Sequence, residues 1–358
     1  MKERFHIFQF ATSPVCAPYR IWAPGKQLAR HENLKVTAFE QMDGQILRSL
    51  LEDGDMLIVQ RVTMSRKFFK LLTAVNRSGI LLVYEIDDDL LNLDSDSRFA
   101  RTVPGDFSDR IKQAISCSHA VQCSTHHLAR VISEFHPEVV VLENQLEHLP
   151  LLVDKNMQDR PLIIGYAAGE HHWLDWQTVK DAYNHLIAEL ENSGHNIETW
   201  IMGDKAIYDS LDTQNKKYFP LASREDYLEM LSCFDISLIP LSDSLFNRSK
   251  SDVKFLESAS RGCAVIASTT VYSDSIRHEQ TGLLFSGQRE FQVCLKGLIC
   301  NPARIPQLGK NAYNDVKKNR LLSRHINKWE ATYRSWFENK NALLSNVPAK
   351  QNFVVSGI

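Results

Sequence analysis

The sequence predicts an α/β protein of two doubly wound domains, each a mostly parallel sheet with helices on both faces. Two observations carry that prediction. Short runs rich in β-branched and aromatic residues alternate with amphipathic stretches along the chain, a pattern that builds parallel sheets flanked by helices. The alternation occurs twice, on either side of a charged, Pro150-containing segment at 147–160, where a linker is expected. At 358 residues the chain is also long enough for two compact domains.

In the first half the candidate strands are 5–10, 34–39, 56–61, 80–86, 119–123 and 138–142, and the amphipathic stretches are 65–76, 106–116 and 124–135. Ser65 and Ser124 stand where N-caps belong. In the second half the strands are 162–166, 197–202, 217–221, 235–239, 264–268 and 282–285, with helices at 175–192, 224–233, 249–261 and 289–300. No repeat of 20–50 residues is present, which excludes a solenoid. After Cys300 the chain turns helical and locally basic. Trp329, Tyr333 and Trp336 recur there at spacings of four and three and so share one helix face, expected to pack on a domain. From about Asn346 the tail is expected to be loose.

Composition narrows the function. Lys and Arg number 41 against 43 Asp and Glu, a formal net charge of −2 that argues against wholesale nucleic-acid binding. The seven cysteines are scattered without a C-x-x-C pair, so neither a zinc site nor a disulfide framework is indicated. Residues 1–10 lack the apolar run of a signal peptide, and no apolar stretch approaches the roughly 18 residues that span a bilayer. A cytoplasmic location is expected, with the basic C-terminal segment allowing peripheral contact at the inner membrane face.

The stretch richest in chemistry is 246–284, FNRSKSDVKFLESASRGCAVIASTTVYSDSIRHEQTGLL. On a helix opening near Ser249, Lys250, Lys254 and Glu257 share one face, and Arg248 adds charge at an end whose N–H groups suit an anion. Cations for phosphates and a carboxylate for a ribose diol read as a nucleotide-diphosphate site. Spacing alone favours a solvated helix with an i,i+3 ion pair.

The order of motifs here resembles the nucleotide domain of group-1 glycosyltransferases of the GT-B fold. A Glu-bearing helix is followed by Gly262-Cys-Ala-Val-Ile-Ala-Ser268 and then by Gly282-Leu-Leu-Phe. Upstream, Trp200-Ile-Met-Gly-Asp204 resembles the family's strand ending in Gly-Asp, and REDYLEMLSCFDISLIP at 224–240 its helix-then-strand segment. The likeness covers about 160 residues in the right order. Two positions depart from it. The family often carries two glutamates separated by seven residues; Glu257 matches the second, and Ser249 stands in place of the first. The family's Arg and Lys after the first strand of this domain are replaced by AAGEHHWLD at 167–175. Arg248, Lys250 and Lys254 are candidates for the missing phosphate clamp, with His172 and Gly169 beside them; His172 reads equally as a surface or capping histidine.

In the first half, YEIDDDLLNL at 84–93 puts three carboxylates after a strand, at the carboxyl end where open sheets place ligands. Four readings compete: a divalent-metal site at Asp87 and Asp89, a phosphoacceptor pocket, a capping role and a place near the reacting sugar. The last is preferred, because related GT-B enzymes carry His-Asp here and Asp87 and Asp88 take those positions. Crowding of the three is expected to raise the proton affinity of at least one. Tyr19, Arg20 and Arg61 are candidates for the acceptor, although Arg61 fits equally as a partner of Asp87 or Glu85. His126 and His127 read as surface residues. Similar YR…P, QR and IDDD elements occur together in a bacterial branch linked to surface-polysaccharide assembly.

The expected architecture is therefore GT-B type. Two Rossmann-like domains face a central cleft: residues 1–155 for the acceptor and 156–322 for the nucleotide-sugar. A C-terminal helix at 323–345 packs back on the first domain, and 346–358 form a flexible tail. The resemblance implies transfer of a sugar from a nucleotide-diphosphate sugar, as co-substrate, to a glycan or lipid-linked acceptor. It also implies retention of configuration and no metal or other cofactor. Catalysis would rest on Asp87, Asp88 and Lys254; donor binding on Arg248, Lys250, Lys254, Glu257, His172 and Gly169. A degenerate binding module and a nucleotide-sugar epimerase stay open as alternatives.

Overall fold

A computed structural model describes residues 4–155, 157–169, 172–221 and 223–346. Of the tail expected at 346–358, residue 346 ends a helix, Lys340–Asn346, and the rest lies outside the described residues. The chain divides into two compact units: 1–91, 105–143 and 325–358 form unit 1, and 92–104 with 144–324 form unit 2.

Unit 1 holds a six-stranded parallel sheet: β1 (Phe5–Phe10), β2 (Leu34–Phe39), β3 (Met56–Gln60), β4 (Leu81–Ile86), β5 (Ala120–Cys123) and β6 (Val139–Val141). The strands lie in the order β2-β1-β3-β4-β5-β6. The direction of winding reverses between β1 and β3, where Ile7 is in register with Met56 and Phe10 with Val59. β3 and β4 are buried along their whole length, as expected of central parallel strands covered on both faces.

Unit 2 holds β7 (Leu162–Ala168), β8 (Ile197–Gly203), β9 (Lys216–Phe219), β10 (Ile236–Ile239), β11 (Ala264–Ser268) and β12 (Leu283–Phe285). Their order is β9-β8-β7-β10-β11-β12, again all parallel. Here the reversal falls between β7 and β10. The core gathers Tyr166, Trp176, Tyr183, Ile201, Ile266 and Phe291 between sheet and helices. Lys216 and Lys217 lie on the edge strand β9, where lysines discourage pairing with another chain.

All twelve expected strands are present, with ends shifted by up to two residues. The helices show more corrections. Ser65 caps Arg66–Arg77, its hydroxyl accepting from the Phe68 N–H at 3.1 Å. Ser124 is not a cap. Thr125 holds that position on His126–Ser133, accepting from Leu128 N, while the Ser124 hydroxyl donates to the Asp87 carbonyl at 2.8 Å. The helix expected at 175–192 is two, Trp173–Gln177 and Lys180–Asn192. The one expected at 249–261 is shortened to Val253–Ser260, and a separate short helix, Leu245–Arg248, precedes it. Gly44–Asp53, with Asp43 accepting from Ile46 N at 2.8 Å, was not expected.

Helix Arg304–Asn319 belongs to unit 2, and Leu322–Glu338 passes into unit 1 at His325. The aromatic stripe of the latter is core: Trp329, Tyr333 and Trp336 are buried. The Tyr333 hydroxyl donates to Gln122 Oε1 at 2.8 Å and Trp336 Nε1 to Glu138 Oε1 at 2.7 Å, so both polar tips are satisfied.

Candidate functional site

The carboxyl edge of the second sheet collects most of the residues singled out for a donor. Lys254, in the first turn of Val253–Ser260, donates to the carbonyl of Ala167 at the end of β7, at 3.2 Å. Burial, then the neighbouring charge of Lys250, lowers its pKa to about 8, against the opposing pull of Asp175 and Glu257. One turn on, the buried Glu257 carboxylate accepts from the Tyr227 hydroxyl at 2.9 Å.

His172 stands beside these lysines. Its Nδ1 lies 2.7 Å from Asp175 Oδ2, and its pKa is lowered to about 4 by burial and then by the charge of Lys254. Asp175 is nearly enclosed, and its other oxygen accepts from Ser242 N, Ser242 Oγ and Asn247 Nδ2 at 2.8, 3.0 and 2.7 Å. Burial opposes its charge, but the bonds from His172 and Ser242 outweigh it and hold the carboxyl below its usual range. A charged Asp175 fixes a neutral His172 with its proton on Nδ1, leaving Nε2 as an acceptor. Sequence reading passed over Asp175, Ser242 and Asn247, because their convergence depends on contacts some 70 residues apart.

Other expected donor residues stand differently. Lys250 precedes the helix, with its ammonium 4.5 Å from the centre of the Phe246 ring; its charge is nonetheless felt by Lys254, His172 and Asp175. Arg248 is gripped by Asp243, Nε to Oδ1 at 2.6 Å and a terminal nitrogen to Oδ2 at 2.8 Å, with half its side chain in solvent. Ser249, at the place of the family's first Glu, is wholly buried. The expected helix start near Ser249 moves to Asp252, whose carboxylate is held by Arg320 and by the Ser275 hydroxyl instead of capping the helix. Gly169 has open space where a Cβ would stand, so close packing does not demand glycine there. It is Gly203, at φ +98° and with the Ala168 carbonyl where its Cβ would be, that only glycine can fill. The following Asp204 is buried and takes Arg98 on both oxygens at 3.2 Å, with the Arg98 guanidinium 5.8 Å from the Trp173 ring centre.

At the carboxyl edge of the first sheet, Arg61 leaves β3 in the left-handed region at φ +49°. Its Nε reaches Asp87 Oδ1 at 2.5 Å and its terminal nitrogen Asp88 Oδ2 at 2.6 Å. Arg61 therefore pairs with two of the three carboxylates of the acidic triplet. Asp87 is buried, and Asp88 keeps a quarter of its side chain exposed. Asp89 is enclosed and accepts from Leu91 N in a local turn. Within β4, burial raises Glu85 to about 7 against the pull of Arg20.

Tyr19 and Arg20 need correction. They lie in a wide helical turn, Pro18–Trp22, and both are buried. Arg20 is fully enclosed, with Nε 2.6 Å from Glu85 Oε1, a further bond to the Leu142 carbonyl and Trp329 at 5.2 Å. A carboxylate inside a central strand requires a counter-ion, and Arg20 is that ion rather than a surface grip on an acceptor. Among the described residues no cluster of three or more His, Cys, Asp or Glu side chains could hold a metal.

The sequence matches no protein-family model and none of the curated proteins compared with it. Solved structures do match. Anabaena HepE in complex with UDP-glucose aligns with a TM-score of 0.62 at 13% identity, over 93% of this chain and all of that one. A glycosyltransferase from Rickettsia africae gives 0.61 at 12% identity, over 96% and 99%. Sucrose-phosphate synthase from Thermosynechococcus elongatus gives 0.61 at 10% identity, over 94% and 100%. The fold is the GT-B type. Each GT-B sheet has its reversal of winding next to a cluster just described, Lys254 with Ala167 after β7 and Arg61 with Asp87 between β3 and β4. Such reversals are where open α/β sheets bind ligands.

Proposed function

We propose that the protein is a glycosyltransferase, a relative of the group-1 enzymes, that moves a sugar from a nucleotide-diphosphate sugar to a glycan or lipid-linked acceptor. The observation that carries this reading is the pair Lys254 and Glu257 on one short helix at the carboxyl edge of the second sheet. Lys254 there has a weakened hold on its proton beside a second cation, Lys250. Two adjacent cations with burial against them are stabilised by a bound dianion, and a diphosphate is one. UDP-glucose in the similarly folded HepE supports the same ligand class.

In this reading unit 2 binds the donor. Lys254 and Lys250 hold the diphosphate, Glu257 the ribose hydroxyls, and the neutral His172 an adjoining hydroxyl through Nε2. Gly169 lets the donor approach the backbone after β7. Arg248 joins only by releasing Asp243. Unit 1 presents the acceptor, with Asp88 orienting its hydroxyl and Asp87 and Arg61 fixing Asp88. The glycosidic C–O bond to phosphate breaks as the acceptor oxygen attacks from the same face; its proton passes to the leaving diphosphate, and configuration is retained. Lys254 stabilises the charge that develops on the leaving group, and no metal takes part. Surface-polysaccharide or glycoconjugate synthesis in the cytoplasm is the setting proposed.

A thermal-shift series with UDP-, GDP-, CMP- and dTDP-sugars, each with and without EDTA, tests the reading. A ligand at 100 times its dissociation constant adds about 2.7 kcal/mol. Stabilisation by one diphosphate-sugar that survives EDTA, followed by acceptor-dependent release of nucleoside diphosphate, is the expected result. No shift with any donor would overturn it.

A further inference from the structure

The basic C-terminal segment was expected to allow a membrane contact, but several of its cations are already paired: Arg304 with Glu279, Arg320 with Asp252 and Arg334 with Glu330. A different surface has the opposite character. Helix Arg66–Arg77 of unit 1 buries Phe68, Leu72 and Val75. On its other side Arg66, Lys67, Phe69, Lys70 and Arg77 are exposed, with 42% of Phe69 in solvent. The helix carries four cations and no carboxylate. Among the described residues no carboxylate pairs with Lys67, Lys70 or Arg77. Positions 66, 70 and 77 fall on one stripe of the helix, and Phe69 lies beside it.

The surroundings extend this charge. Strands β3, β4, β5 and β6 lie side by side in chain order, and right-handed crossovers put the helices that join them on one face of the sheet. Helices Phe107–Ser116 and His126–Ser133 therefore share the face of Arg66–Arg77. They add Lys112 and Arg130 against Asp109 and the exposed Glu134 that ends the second of them, while Arg110 is paired with Asp106. In a chain of net charge −2 this is a concentrated cationic face.

We propose that this face docks on an anionic lipid bilayer, with the lysines and arginines of helix Arg66–Arg77 over the headgroups and Phe69 at the headgroup–acyl boundary. Charge alone would suit nucleic acid as well. The exposed ring among the cations favours lipid, because an aromatic side chain gains by leaving water at the interface while basic residues are drawn to anionic headgroups. The inference goes beyond the glycosyl-transfer reading and does not depend on it.

Co-sedimentation of the full chain with phosphatidylcholine vesicles, with and without phosphatidylglycerol, tests it. The chain is expected to pellet only with the anionic vesicles and to be released by salt. Lys67→Glu with Lys70→Glu should weaken partitioning by about tenfold or more. Phe69→Ser should weaken it several-fold, and Lys317→Glu with Lys318→Glu should leave it unchanged. All these positions are surface positions, so melting curves should match wild type. In a Phe69→Trp variant, fluorescence should shift to the blue on anionic vesicles. A wild-type chain left in the supernatant, or an emission spectrum of the Phe69→Trp variant unmoved by vesicles, would overturn the proposal. So would charge-dependent binding to polyuridylate together with vesicle binding indifferent to Phe69→Ser.

Discussion

Asp175 holds the imidazole of His172 at 2.7 Å while accepting three further hydrogen bonds from Ser242 and Asn247. One buried carboxylate thereby joins the loop after β7 to the segment after β10, across the reversal in the winding of the second sheet.

This arrangement sets an acid limit on stability. His172 titrates near pH 4 in the folded chain, below its ordinary value of 6.5. Between those values the unfolded chain binds the extra proton, so stability falls as pH drops from about 6.5 to 4. The loss should be on the order of 1–3 kcal/mol. His172→Gln should flatten that part of the profile, as read from urea midpoints at successive pH values. An unchanged slope would mean that His172 does not govern it.

Donor affinity should have an alkaline limit. Lys254 loses its proton near pH 8 in the free protein, and a diphosphate favours the charged form. Affinity should therefore fall about tenfold per pH unit between pH 8 and 10. Lys254→Arg should remove this dependence, and Lys254→Ala should lower turnover by about a hundredfold. Calorimetry in buffers of different ionisation enthalpy would detect proton uptake on binding near pH 8.

Glu257→Ala should raise the donor dissociation constant by roughly 10- to 100-fold, the worth of one or two bonds to a charged acceptor. Tyr227→Phe removes the 2.9 Å bond to that carboxylate and should cost about 1 kcal/mol. Equilibrium titration with the nucleoside diphosphate separates them. Equal losses would place Tyr227 on the ligand itself.

Arg61→Ala should destabilise unit 1 by about 3 kcal/mol, because it leaves the buried Asp87 uncompensated. Arg61→Gly should be less harmful by about 0.5–1 kcal/mol, since glycine tolerates φ +49°. Asp88→Asn should impair transfer with donor affinity kept; unfolding of that variant would give Asp88 a structural role.

The twelve strands were legible because a buried parallel strand must be a short, nearly continuous apolar run, as in Met56–Gln60. What escaped depends on distant partners. Arg20 in a Tyr-Arg-x-x-x-Pro context reads as a surface loop until Glu85, 65 residues away, is seen to require it. The helix start near Ser249 fails for a similar reason: Asn247 is drawn to Asp175, and Asp252 to Arg320. Gly44–Asp53 was readable and passed over. Asp43 followed by Ile46, Leu47 and Leu50 is a capped amphipathic pattern.

The assignment of residues to the two units also governs how the protein is made. The chain changes unit at 91/92, 104/105, 143/144 and 324/325, and Trp329, Tyr333 and Trp336 complete the core of the first unit from the far end of the sequence. On the ribosome the second unit can finish before the first, which waits with an uncovered apolar seat until the last helix emerges. A stop codon placed before His325 would therefore spoil the amino-terminal half of the protein rather than the carboxyl-terminal one.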